Sequence, residues 1–147
     1  MAPYMTAALD ASKDASSGWI ADARKELLVD EALHVKGDKA SAAKLKKAAM
    51  PEGWMTDASA LNEYAWWSFE NEIDLAEAES LARKGVELSD AGAAKAQVLD
   101  TLAEIRNARG APGDAVELTR KAIKEDPDEA RYEKQLERFE KLAGGKT

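Results

Sequence analysis

The stretch Gly110-Ala111-Pro112-Gly113-Asp114-Ala115-Val116-Glu117-Leu118-Thr119-Arg120-Lys121-Ala122-Ile123-Lys124 decides the fold, because the chain repeats its pattern. Ile73-Asp74-Leu75-Ala76-Glu77-Ala78-Glu79-Ser80-Leu81-Ala82-Arg83-Lys84-Gly85-Val86-Glu87, set against it with a shift of 37, lays Ala78 on Ala115 and Gly85 on Ala122. Shifting the other way finds Ala42 and Ala49, again seven apart, behind Gly37-Asp38. Seven residues are close to two helical turns, so both small side chains fall on one helix face and let a partner helix approach closely. Three units of one pattern point to repeated helical hairpins.

The surrounding sequence agrees. Apolar residues recur at three- and four-residue spacing, as in Leu99, Leu102, Ala103 and Ile105, and no stretch alternates apolar and polar for long. Pro51, Pro112 and Pro127 fall between the periodic segments. Asp126-Pro127-Asp128-Glu129 reads as a helix start with a capping Asp, a proline at the first helical position and a Glu three residues on, and Asp74 with Glu77 reads the same way. These signals predict helices over 17–36, 39–49, 57–71, 74–88, 94–109, 112–125 and 128–143, with residues 1–16 as a tail or linker. The fold class is all-α: three antiparallel hairpins (units 17–50, 57–89 and 94–126) in a single repeat domain over 17–143. The helix over 128–143, with Tyr132, Leu136, Phe139 and Ala143 on one face, serves as a C-terminal cap.

Composition narrows the function classes. Of 147 residues 45% are apolar, and 30 of those 66 are alanine, the choice of closely packed helices. With no cysteine there is no disulfide framework, thiolate metal site or thiol nucleophile. The longest apolar runs are far short of a membrane span, and the first 16 residues lack the basic and apolar regions of a signal peptide, so the expectation is a soluble chain. A net charge of −7 argues against nucleic acid as a partner. Residues 51–95 carry 3 basic and 10 acidic side chains, the whole imbalance, and also hold Tyr64-Ala65-Trp66-Trp67-Ser68-Phe69. An acidic, aromatic-rich segment is where a partner is expected.

The pattern as a whole resembles the tetratricopeptide repeat (TPR): a small residue in the first helix (Ala65, Ala103), a turn with Gly or Asp, two small residues seven apart in the second helix, and a proline after it (Pro127). Leu61-Asn62-Glu63-Tyr64-Ala65-Trp66, Phe69-Glu70-Asn71 and Leu99-Asp100-Thr101-Leu102-Ala103 are similar to the repeat region that follows a thioredoxin-like domain in certain bacterial, often exported, proteins. That resemblance spans about residues 17–140 and implies a right-handed superhelix whose first helices line a concave face. It places Arg24, Leu27, Glu31 and His34 on that face from the first unit, Asn62, Trp66, Phe69 and Glu70 from the second, and Gln97, Asp100, Glu104 and Asn107 from the third. A groove so lined is acidic, rich in amides and centred on aromatics, and suits a peptide or partner domain of basic character. An acidic C-terminal tail suits it poorly. The expectation is therefore an interaction or scaffolding module and not an enzyme. The alternative is an accessory or dimerisation region of a thioredoxin-like oxidoreductase whose catalytic domain is not in this chain, a role that a homodimer would serve.

Each candidate has a structural reading beside the functional one. Trp67 reads chiefly as hairpin core, while Trp66, one residue round the helix, divides evenly between core and groove. His34, alone of its kind, has neither a nucleophile nor metal-binding company and reads as a group at a helix C-terminus. The 28 acidic residues form chance carboxylate pairs on exposed helix faces, with no calcium-loop pattern, so no metal or cofactor is expected. Gly144-Gly145-Lys146-Thr147 lacks the rest of a phosphate-binding loop and reads as a frayed end.

Overall fold

The computed structural model describes residues 2–13 and 18–145, and every regular element in them is helical. The chain divides into two compact units, Met1–Glu52 and Gly53–Thr147. The frayed-end reading of Lys146 and Thr147 lies outside the described residues, as does the start of the first expected helix at Ser17.

The first unit holds α1 (Ala2–Ser12), α2 (Gly18–Asp30), which runs on into a π-helical turn (Glu31–Val35), and α3 (Lys39–Ala49). A helix therefore stands where a tail or linker was expected. Its reason is visible in the packing: Met5 and Leu9, one turn apart, are both buried, and α1 lies against α2 and the π turn. Arg24 of α2 donates a hydrogen bond from Nη1 to the Leu9 carbonyl. Val29, Ala32, Ala42 and Met50 complete the buried set. Gly37, at φ +64°, turns the chain, and Asp38 caps α3 by accepting from the Ser41 amide at 3.0 Å and hydroxyl at 2.6 Å. Those bonds hold the exposed Asp38 carboxyl below its usual range.

The second unit opens with a 3₁₀ turn (Trp54–Thr56) and continues as α4 (Ala58–Glu70), α5 (Leu75–Leu88), α6 (Ala93–Ala108), α7 (Pro112–Glu125) and α8 (Ala130–Gly144). Its helices begin and end within about two residues of the expected positions. Asp57 and Asp74 cap α4 and α5 through the amides of Ala60 and Glu77, and Pro112 opens α7. One start differs. Asp126 closes α7, and it is Glu129 that caps α8, accepting from the Arg131 amide at 3.0 Å. The shift follows from the Asp126 amide, which still donates to the Ala122 carbonyl and so belongs to the preceding helix.

α4 packs on α5 and α6, α5 on α6, α6 on α7, and α7 on α8. The small residues sit where these helices meet: Ala65, Ala78, Ala103, Ala115 and Ala122 are fully buried, and Gly85 is buried with them. Ala42 plays the same part in the first unit, whereas Ala49 is only half-buried. Phe69, Val86 and Leu118 pack on a core of Ala65, Ala78, Ala82, Leu102 and Ile105, and Phe139 of α8 joins Ala103, Ala115 and Val116. α6 is the central element, with every residue from Val98 to Ile105 buried. No described helix is long and apolar enough to cross a membrane.

Candidate functional site

At 3.6 residues per turn, α6 presents Gln97, Asp100, Thr101 and Glu104 on one side. Asn62 and Trp66, one turn apart on α4, lie beside them, and α8 brings Arg131, Gln135 and Arg138 at spacings of four and three. Asn62, Trp66, Gln97, Asp100, Thr101 and Arg131 together enclose a pocket of about 160 Å³.

Most polar groups around this pocket are answered from within the protein. Glu104 is buried and accepts from Gln135 Nε2 at 2.6 Å and from the Arg138 guanidinium. The Thr101 hydroxyl donates to the Gln97 carbonyl at 3.2 Å. Glu70 accepts from Trp66 Nε1 at 2.7 Å. Two acceptors are left over. Asn62 Oδ1 and Asp100 Oδ1 are both buried and have no hydrogen-bond partner among the described residues. Asp100 is only 7% exposed, and burial, with the Glu104 charge adding to it, pushes its carboxyl above the usual range against the pull of Arg131, a hydrogen bond from Gln135 and the more distant Arg138.

The aromatic cluster divides between core and surface. Tyr64 is fully buried, its ring 5.2 Å from Trp54 and 5.7 Å from Trp67, and burial with help from Glu77 pushes its hydroxyl up to about 12. Trp67 is half-buried beside it. Trp66 is 37% exposed, with its ring 5.2 Å from Phe69. Phe69 is half-buried against the α4–α5–α6 core, so it supports the indole from below more than it faces solvent.

Of the residues expected to share a surface, Asn62, Trp66, Gln97 and Asp100 come together at the pocket, and Glu70 adjoins it through Trp66. Glu104 is engaged by α8, and Asn107 stands at the end of α6, where its carbonyl accepts from the Gly110 amide at 3.0 Å. The other four belong to the first unit. There Arg24 is held by the Leu9 carbonyl, Glu31 pairs with Lys36 at 3.6 Å, Leu27 is half-buried and His34 is exposed in the π turn. Arg131, Gln135, Arg138 and Thr101 were missed. The 131, 135, 138 spacing was the available signal, since it lines one face of a helix whose apolar face is Tyr132, Leu136 and Phe139. The carboxylates are also not all on exposed faces, because Glu79, Asp100 and Glu104 are buried.

Glu79 marks a second polar cluster, of a different kind. On α5 it accepts from Arg83 at 2.7 Å, Arg106 at 3.2 Å and Arg109, and Arg106 in turn pairs with Asp114. Burial pushes the Glu79 carboxyl up, but the three guanidinium groups outweigh it and hold it below the usual carboxylate range. Each of these side chains has a charged partner within the network, which ties α5, α6 and the start of α7 together. Among the described residues no group of three or more His, Asp or Glu is placed to hold a metal ion.

The sequence matches no protein-family model, and no curated protein matches it significantly.

Proposed function

We propose that residues 53–147 form a TPR-like protein-interaction module, in which α4, α6 and α8 present a concave face to an extended segment of a partner protein. The segment carries a lysine, an arginine or another cationic donor that enters the pocket between Trp66 and Arg131. The single observation that carries this reading is the pair of buried acceptors, Asn62 Oδ1 and Asp100 Oδ1, left without donors at the pocket. A buried acceptor without a donor costs about 1–3 kcal/mol, so a ligand that supplies donors recovers that energy on binding. An ammonium or guanidinium group would also give the unpaired Asp100 oxygen a charge-assisted hydrogen bond. The exposed Trp66 ring beside it offers a flat face to the alkyl stem or to the cation itself. Support for the repeat architecture comes from the paired helices and from small residues buried at each helix contact.

The test is a ¹H–¹⁵N correlation titration of the intact chain with four blocked nonapeptides of alanine, carrying lysine, arginine, norleucine or glutamate at the centre. The lysine or arginine peptide should shift the amides of Asn62, Gln97, Asp100 and Thr101. Asp100→Asn should weaken that binding about tenfold to a hundredfold, as expected for a charged hydrogen bond. Trp66→Ala should also weaken it, with the helical circular dichroism spectrum unchanged to show that the loss is one of binding and not of folding. Phe69 is unsuited to the test, since its ring packs on the core. The proposal fails if the norleucine or glutamate peptide binds as well, or if no peptide shifts these amides at millimolar concentration.

A further inference from the structure

The opposite side of α6 carries a larger and chemically different cavity. Lys95, Leu99 and Leu102 follow one another at spacings of four and three, and this row centres on the helix face opposite Gln97, Asp100 and Glu104. Between α5 and α7 that face floors a cleft of about 410 Å³. The volume lies within the range of small-molecule sites, roughly 300–1,000 Å³. The floor is aliphatic: the half-buried Val86 from α5 and Leu118 from α7 face the cleft, with Leu99 and Leu102 of α6 buried beneath them at 3% and 2% exposed. Its rim is basic in an otherwise acidic chain, with Arg83, Lys95, Lys121 and Lys124 set against Glu87 and Glu125.

Not all of these charges are available. Arg83 is committed to Glu79 at 2.7 Å, and Glu125 accepts from the Gly92 amide at 2.8 Å. Lys95, Lys121 and Lys124 make no ion pair among the described residues. Three free ammonium groups therefore surround an apolar floor, opposed by Glu87 and by Glu125, whose carboxylate keeps its charge while accepting from the Gly92 amide.

The lining also says what does not fit. It contains aliphatic and charged side chains but no Ser, Thr, Asn, Gln, His or aromatic residue. A peptide lying in the cleft would press its backbone amides and carbonyls against Leu and Val with nothing to answer them, which is costly. A nucleotide base would likewise meet neither a stacking ring nor a neutral donor. What matches is an unbranched apolar body without polar atoms, ending in a single anionic head.

We propose that this cleft binds an alkyl anion, a medium-chain fatty acid or alkyl phosphate, with the chain along Val86, Leu99, Leu102 and Leu118 and the head at Lys95, Lys121 and Lys124. The site stands apart from the pocket at Asp100 and does not depend on its reading. Each methylene buried tightens binding about fourfold, so decanoate should bind about fifteenfold more tightly than octanoate.

The experiment is an isothermal titration of the intact chain with sodium octanoate, sodium decanoate, decyl phosphate and decyltrimethylammonium, each below its micellar concentration, paired with ¹H–¹⁵N shifts. Saturable binding of decanoate or decyl phosphate is expected, with shifts at Val86, Leu99, Leu118 and Lys121, and the tighter of the two identifies the head group. Lys121→Glu with Lys124→Glu, both on exposed positions, should weaken it at least tenfold while leaving the melting temperature nearly unchanged. Binding of decyltrimethylammonium with equal affinity overturns the proposal, as do decanoate binding that ignores the charge reversal and a lack of saturable binding by either anion. A blocked acidic peptide that shifts the same amides while both alkyl anions fail to bind would reassign the cleft to a protein partner.

Discussion

Replacing Gly85 by alanine tests whether the small residues of the repeat are there to let helices touch. Gly85 lies inside α5, where alanine is normally the better helix former by about 1 kcal/mol. Here the added Cβ would lie 3.0 Å from Val98 Cγ1, 3.6 Å from the Ala58 carbonyl oxygen and 3.7 Å from Leu61 Cβ. The last two are ordinary contacts, but the first is well inside the optimum carbon–carbon separation of roughly 3.5–4.0 Å. Val98 has little room to yield. It is 3% exposed, and a β-branched side chain in a helix keeps essentially one rotamer, so relief requires α6 to move away from α5. Overpacking of this kind costs about 1–3 kcal/mol. The net expectation for Gly85→Ala is a loss of up to about 2 kcal/mol, opposite in sign to the propensity gain. In a Val98→Ala background the offending methyl is gone, and the same change should stabilise by about 1 kcal/mol. Urea unfolding of the four proteins, followed by tryptophan fluorescence at constant m-value, gives the coupling directly. A gain of about 1 kcal/mol in both backgrounds, with no coupling, would refute the idea that a missing Cβ sets the distance between α5 and α6.

Two predictions concern buried carboxylates with opposite signs. Asp100 has a folded-state pKa above its unfolded value, so its ionised form destabilises the fold at neutral pH and the penalty disappears as pH falls through the folded value and then the unfolded one. Asp100→Asn should therefore melt at a higher temperature than the parent at pH 7 and at nearly the same temperature near pH 3, and a lower melting temperature at pH 7 would mean that Arg131 and Gln135 already compensate the charge. Glu79 has a folded-state pKa below its unfolded value, so its contribution is present above the ordinary carboxylate range and is lost as pH falls through the folded value. Glu79→Gln should cost about 1–3 kcal/mol at pH 7, with the difference closing in acid, and a gap that persists unchanged to pH 2 would assign the loss to packing.

The extent to which this architecture can be read without coordinates differs from element to element. α4, α5 and α7 announce themselves because capping Asp side chains, Pro112 and seven-residue spacing are local signals, and α6 does so through the three- and four-residue recurrence of Leu99, Leu102, Ala103 and Ile105. The start of α8 is ambiguous in sequence because Asp126 serves equally well by composition as the end of one helix or the beginning of the next, and only the bond from its amide to the Ala122 carbonyl decides. α1 reads as a tail because Met5 and Leu9 make only a weak apolar stripe, and what stabilises it is burial against α2, which has no local trace. The site divides in the same way. Asn62, Trp66, Gln97 and Asp100 were found because repeat register carries one helix onto the next. Arg131, Gln135 and Arg138 lie outside that register, since α8 has no counterpart in the repeat and its polar face meets α6 only through tertiary packing.

α6 makes the case for Asp100 stronger than the pocket alone does. A helix buried over its whole circumference ordinarily carries apolar residues all round, yet Val98–Ile105 includes Asp100, Thr101 and Glu104. Each of these needs an explanation, because a buried polar group without partners costs stability. Thr101 has one in its bond to the Gln97 carbonyl, and Glu104 has one in its bonds to Gln135 and Arg138, which bring α8 to α6. Asp100 Oδ1 has none among the described residues, nor does Asn62 Oδ1 beside it on α4. Arg131 and Arg138 draw on the Asp100 charge and Gln135 hydrogen-bonds the carboxyl, but burial outweighs them and leaves the ionised form costly to the fold. A carboxylate on the most buried helix of the unit, with one oxygen unpaired at the pocket and its charge only partly offset, gives the proposed cationic segment a specific atom to engage.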